Sequence, residues 1–185
     1  MWLRVIALLS FALTGCAQVF GIEETSSSTP DARPVPPGTM DGRPPCVGGD
    51  SRAVDPDTGN CFILFSTPMS RDAARTACRG LGLGTQLASI QSASESAAIA
   101  NLIGTTSALI GGSDEITEGQ FLWEDGTAIQ LTRWNTAEPN NGGAAGFEEE
   151  CIQVLGSTGG LWNDVPCAPV AGTTLGSYPF VCERD

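Results

Sequence analysis

Apolar positions along the chain fall into short runs with two different periods. Asn60-Cys61-Phe62-Ile63-Leu64-Phe65 follows a Thr58-Gly59 turn and is rich in β-branched and aromatic residues, so it reads as a strand. Beyond Ser70, residues Ala74, Ala77, Cys78 and Leu81 recur at helical spacing, and a helix capped by Ser70 is expected over residues 71–78. Ser92-Ala93-Ser94-Glu95 has the spacing of a capping box, in which the serine accepts from helix-start amides and the glutamate reaches back. Ile99, Leu102 and Ile103 then form the apolar face of a second helix, which stops at Gly104. Further on, Leu109-Ile110, Gln120-Phe121-Leu122-Trp123, Cys151-Ile152-Gln153-Val154 and Pro179-Phe180-Val181-Cys182 read as short strands. Gly-, Asp- and Asn-rich stretches separate them. The pattern predicts an α+β domain in which long irregular loops surround a small sheet.

The amino-terminal stretch has a different character. Arg4 precedes an apolar run over residues 5–13, about the length of a signal h-region and too short to span a membrane as a mature helix. The run ends in Leu13-Thr14-Gly15-Cys16, which resembles a bacterial lipobox, where the signal is cut before a cysteine that becomes lipidated. On this reading residues 1–15 are a lipoprotein signal peptide. Residues 16–45 are the lipidated Cys16 and a flexible Ser/Pro-rich tether, with Ser26 to Ser28 followed by Pro30, Pro34, Pro36, Pro37, Pro44 and Pro45. Residues 46–185 are enough for one compact domain. The expected location is exported and lipid-anchored, at an outer membrane or cell surface.

Setting Cys16 aside leaves six cysteines, Cys46, Cys61, Cys78, Cys151, Cys167 and Cys182. An even number in an exported domain points to three disulfides, with fifteen pairings open. Zinc is a poor alternative, because the spacings lack a C-x-x-C pair and the chain has no histidine. The formal net charge of −12 repels a phosphate backbone and argues against nucleic acid as a partner. Asp55, Asp57, Asp114, Glu115 and Glu118 carry no pattern and read as solvated surface or turn residues.

One stretch rises above that background. Glu138-Pro139-Asn140, Glu149-Glu150-Cys151 and Trp162-Asn163-Asp164 place four carboxylates and two amides within 27 residues. All are hard oxygen donors of the kind calcium takes. Taken in order, the motifs of the chain resemble the C-type lectin-like domain family. They are Cys61-Phe62-Ile63-Leu64-Phe65, Leu87-Ala88-Ser89-Ile90, Ile110-Gly111-Gly112, Phe121-Leu122-Trp123-Glu124-Asp125-Gly126, Glu138-Pro139-Asn140-Asn141, Leu161-Trp162-Asn163-Asp164 and Phe180-Val181-Cys182-Glu183. The resemblance runs from about Cys46 to Glu183.

The resemblance implies a C-type lectin-like fold: two helices, two small antiparallel sheets and long calcium-binding loops. It implies the pairings Cys78–Cys182 and Cys151–Cys167, with Cys46–Cys61 as the extra hairpin bond of the family's long form. It implies that Leu87, Ile90, Ile110, Phe121, Trp123 and Phe180 are core, and that the peptide before Pro139 is cis. It carries Glu138, Asn140, Glu149, Asn163 and Asp164 over as side-chain ligands of Ca2+ and, through the ion, of a sugar. The Glu-Pro-Asn order goes with mannose-, glucose- or fucose-like carbohydrate in the family. The segment from Asn141 to Glu148 is about three residues longer than is usual there, and Phe147 is expected to pack under it. An enzyme is disfavoured: the absence of histidine removes Ser-His-Asp arrangements, and a cation between Glu138 and Glu149 would keep both ionised, which is wrong for a general acid. The rival expectation is a protein-binding or structural module of the same fold.

Overall fold

The computed structural model of the chain describes residues 43, 45–82, 84–142 and 146–185. Cys16, the signal-like residues 1–15 and nearly all of the 16–45 stretch lie outside the described residues. In chain order the elements are β1 (Ser51–Val54), β2 (Cys61–Met69), α1 (Arg71–Arg79), β3 (Thr85–Leu87), α2 (Ala93–Ile103), β4 (Ala108–Ser113), β5 (Cys151–Leu155), β6 (Leu161–Val165) and β7 (Tyr178–Arg184).

The last strand is the hub. β7 pairs antiparallel with β2 and with β3, and β1 extends β2 at the edge. A second antiparallel set, β4-β5-β6, joins β7 through one parallel pairing, Leu109 with Phe180. The two antiparallel sets are therefore fused into one mixed sheet, ordered β1-β2-β7-β4-β5-β6. The fold is α+β, with two helices and a mixed sheet, the architecture of a C-type lectin-like domain.

Both faces of this sheet are buried, and the period-two alternation of strand side chains explains how. Phe62, Leu64, Ile110, Ile152, Val154 and Val181 point into a core shared with Ile99 and Ile103 of α2 and with Trp123 and Trp162. Their neighbours Cys61, Ile63, Leu109, Cys151, Phe180 and Cys182 point to the other side, into a core shared with Ala74 and Cys78 of α1. One helix thus covers each core. Three disulfides sit at the second: Cys46–Cys61, Cys78–Cys182 and Cys151–Cys167.

Several local expectations need revision. Ser70 occupies the N-cap of α1, but its side chain makes no capping bond. The first helical amide, of Arg71, instead donates to the Cys167 carbonyl at 3.0 Å. Residues 120–123 do not form a strand. Leu122 makes only single bridges to Ser113 and Ala128, because the Trp123 amide closes a turn onto the Thr127 carbonyl. Phe121 still packs against the first core as expected, though half-buried, with its ring against Trp134. Asp55 and Asp114 are not solvated but buried. Asp55 accepts from the Thr58 amide and hydroxyl and from Ser94. The capping box on α2 is present in both directions, between Ser92 and Glu95.

Candidate functional site

The loops beyond β4 and the strand β6 bring the predicted ligand residues to one end of the sheet. Register places Asn163 opposite Gln153 and Asp164 opposite Ile152, with Cys151 opposite Val165. The Cys151–Cys167 bond closes this strand pair just past Asp164. The preceding segment is laced onto β6: the Trp162 amide donates to the Arg133 carbonyl at 2.7 Å, and the Asn135 amide returns a bond to the Trp162 carbonyl at 2.8 Å. Glu138 follows, and the Glu138–Pro139 peptide is cis.

Asp164 is 1% exposed and acts as the anchor of the loop. Its carboxylate accepts from the Asn140 amide at 2.9 and 3.1 Å and from the Asn141 amide at 2.6 Å. Glu149, half-buried, accepts from the Gly142 amide at 2.8 Å, and its own amide donates to Asn141 Oδ1 at 2.8 Å. The turn depends on Gly142. Its φ is +75°, and a Cβ there would stand 1.8 Å from the Phe147 carbonyl oxygen. Asn140 Nδ2 donates to Glu138, and Asn163 Nδ2 donates to the Asp164 carbonyl at 2.7 Å. Residues 143–145 of the long segment lie outside the described residues. Phe147 is half-buried, and it lines a cavity with Arg71, Pro166 and Cys167.

The acids here face one another. Burial pushes the Glu138 carboxyl up, and the adjacent Asp164 carboxylate and the charge of Glu149 push it further, against a lowering contribution from Asn140. Burial also raises Glu149, with the charge of Asp164 adding to it and the Gly142 amide opposing it. Mutual repulsion of this kind is what a divalent cation relieves. The donor set therefore fits calcium in its chemistry: three carboxylates and two neutral amides, all oxygen donors, from three segments. The side chains are not arranged around an ion as they stand. Among the described residues no group of three or more acidic, cysteine or histidine side chains converges to hold a metal. The Asp164 and Glu149 oxygens are engaged by backbone amides instead.

Sequence reasoning passed over Asn141. Its φ of 47° turns its side chain to bridge three places: it donates to Glu118 at 3.0 Å and to Glu148 at 3.1 Å while accepting from the Glu149 amide. The doubled Asn140-Asn141 was the available signal, since asparagine tolerates the left-handed region better than most residues. Asp114 was also missed. Its carboxylate accepts from the Gly119 amide at 2.8 Å and so shapes the turn that carries Glu118. Burial raises its carboxyl.

Comparison with known proteins identifies the family of this fold. The lectin C-type domain family matches residues 67–184. Rat versican core protein is 36% identical over 109 residues, 59% of this chain and 4% of the relative, so the chain spans a small fraction of that protein's length. The cow CD23 C-type carbohydrate-recognition domain, solved in the presence of GlcNAc2Man3 oligosaccharide, is 31% identical, with a TM-score of 0.56 over 68% of this chain and 87% of that one. A calcium-independent type II antifreeze protein is 28% identical, with a TM-score of 0.58 over 75% of this chain and 94% of that one.

These matches correct the expectation of a bacterial lipoprotein anchored at an outer membrane or cell surface. The relatives whose source is known are animal proteins, among them those of rat, mouse, human and cow. The lipobox reading rested on four residues ending in Cys16, and so short a pattern recurs by chance far more readily than a domain-length match. No helix of the described residues is long and apolar enough to cross a membrane.

Proposed function

Because this chain belongs to the lectin C-type domain family, we propose that it is a carbohydrate-binding module whose loop site, Glu138, Asn140, Glu149, Asn163 and Asp164, holds calcium and reads vicinal sugar hydroxyls. The chain is a binding module and not an enzyme. The observation that carries the reading is the buried Asp164 carboxylate, which holds the amides of Asn140 and Asn141 and whose charge pushes the carboxyls of Glu138 and Glu149 up. A bound calcium would supply open coordination positions for two adjacent hydroxyl oxygens. The residues do the rest. Carboxylates of Glu138 and Glu149 accept hydrogen bonds from the hydroxyls, and the amides of Asn140 and Asn163 donate to hydroxyl oxygens. Adopting that role requires Asn140 and Glu138 to release each other. The related CD23 domain solved with a mannose-containing oligosaccharide supports a glycan as the ligand class, and the Glu-Pro-Asn order supports mannose-, glucose- or fucose-like sugars.

A second reading is a protein-binding or structural module that works without the ion. The internal hydrogen bonding of Asp164 and Glu149 favours it, and so does the likeness to a calcium-independent relative. Isothermal titration with calcium, then with mannose, fucose and galactose, separates the two. Binding of calcium followed by millimolar mannose, roughly 4 kcal/mol, supports the sugar reading. In that case Asn163→Ala loses both ligands, and Glu138→Gln with Asn140→Asp shifts preference toward galactose. Calcium binding without saccharide on a multivalent glycan surface moves the assignment to a protein partner, and failure to bind calcium removes the metal-centred mechanism.

A further inference from the structure

Among the described residues Arg133 differs from the other cations. Arg71 pairs with Glu115, and Arg75 and Arg79 share Glu124. Arg43, Arg52 and Arg184 donate to the carbonyls of Thr58, Gly48 and Pro45. Among the described residues Arg133 alone of the arginines has no side-chain hydrogen bond or ion pair, and its Nε is buried without an acceptor. Arg133 itself is half-buried. A guanidinium carries five donors and does not shed its charge, so one with its Nε sealed from water and no protein partner suits an oxyanion.

The surroundings supply the space. Arg133 lines a cavity of about 440 Å³ between α2 and the turn at Gly156–Thr158, a size in the range of small-molecule sites. Ser96, Ala100, Asn101 and Gly104 form one wall, Gly156 and Gly159 the other, and no acidic side chain lines it. Glycine brings the walls together: a Cβ on Gly156 would lie 2.3 Å from the Thr106 carbonyl oxygen. The root of the arginine is fixed by the bond from the Trp162 amide to its carbonyl. The opposite wall carries the end of α2, whose last carbonyls bear partial negative charge and favour donors rather than a bare anion. A ligand that suits both walls carries one oxyanion and several hydroxyls.

We propose that this cavity is a second saccharide subsite, independent of calcium, that takes an acidic sugar with its carboxylate or sulfate on Arg133 and its hydroxyls on Asn101 and the end of α2. The test is isothermal titration of the full chain in chelator with glucuronate, glucose 6-sulfate, glucose and inorganic sulfate. At least one acidic sugar binds and glucose does not, and which one binds tells carboxylate from sulfate. Arg133→Gln weakens that binding at least tenfold, and Arg133→Lys weakens it less. Ala97→Phe, on the exposed face of α2 at the cavity mouth, weakens it while leaving Arg133 in place. Arg52→Gln leaves it unchanged, and circular dichroism checks that each variant is folded. The proposal is overturned if neither acidic sugar binds, even where inorganic sulfate does, or if folded Arg133→Gln and Ala97→Phe both bind like the unaltered chain. Because the titration runs without calcium, its failure leaves the loop-site reading standing, and failure of the loop site leaves this one standing.

Discussion

Glu183 and Asp164 are both carboxylates withdrawn from water, at 2% and 1% exposure, and they are held by opposite means. Glu183, on the hub strand, takes the amide and hydroxyl of Ser89, each at 2.8 Å, and Nδ2 of Asn60 at 2.9 Å. Asn60 also reaches Glu95 of the α2 capping box at 3.3 Å. These donors come from two segments far apart in sequence, one just before β2 and one just after β3. Asp164 takes backbone amides from a single loop, and its remaining neighbours include the like-charged Glu138 and Glu149. The first network is complete within the protein. The second orders a loop but leaves acids facing acids, an arrangement that a cation would complete. One end of the sheet thus satisfies its buried acid internally, and the other leaves like charges together.

The largest test of that contrast strikes the scaffold. The Cys78–Cys182 bond spans 104 residues, ties α1 to β7, and in the chain-entropy model is worth up to about 4–5 kcal/mol. Replacing both cysteines with alanine should lower stability by that order in denaturant titrations. Replacing Cys151 and Cys167 instead should cost less and chiefly weaken calcium binding, since that bond spans 16 residues beside the loop site. Equal losses of calcium binding from the two double replacements would break the distinction between the ends.

A smaller effect separates the ends by pH. Burial pushes the Glu183 carboxyl up to about 7, with Ser89 and Asn60 opposing it. The folded chain then holds this proton more tightly than the unfolded one. Its contribution is full below the ordinary carboxylate range and is lost as pH rises through about 7, amounting to about 3 kcal/mol over that window. Stability in chelator should therefore fall from pH 5 to pH 8, and Glu183→Gln should flatten much of that slope. An unchanged slope in the variant would place the titration elsewhere.

The smallest effect belongs to the loop. Asp164→Ala leaves the Asn140 and Asn141 amides without their acceptor and should cost about 1–3 kcal/mol. The same variant should lose any rise in melting temperature with added calcium, because only the folded chain with an intact site gains from the ion. Asp164→Asn, which keeps an acceptor, should recover part of the stability and none of the calcium response.

How much of this was legible beforehand depends on the range of the interaction. The strand at residues 60–65, the α2 capping box and the apolar stripe of Ile99 and Ile103 are local patterns, and each appears in the structure. The order of the oxygen-bearing motifs was legible too, and with it the family. Polar residues were harder to read. Asp55 and Asp114 looked like turn residues, yet both are buried by segments that sequence position does not connect to them. Residues 120–123 have strand composition but find no continuous partner, and a strand is defined by its ladder rather than by its side chains.

The sequence by itself determined what is carried by residue type and near spacing: two amphipathic helices, short apolar strands, six cysteines in the domain, and a set of hard oxygen donors in a fixed order. Only the tertiary structure decided what depends on partners far along the chain. It fused two antiparallel sets through Leu109 and Phe180 and turned Asp164 onto the loop amides, and it holds the cysteine pairing that the family resemblance implied but the cysteine count alone left open among fifteen. It also joined Asn60 to Glu183 across 123 residues and left Arg133 facing a cavity with no acid beside it. The physical reason is common to all of these. Hydrophobic period is written within a few residues, whereas the cost of a buried charge is set by whatever the fold brings next to it.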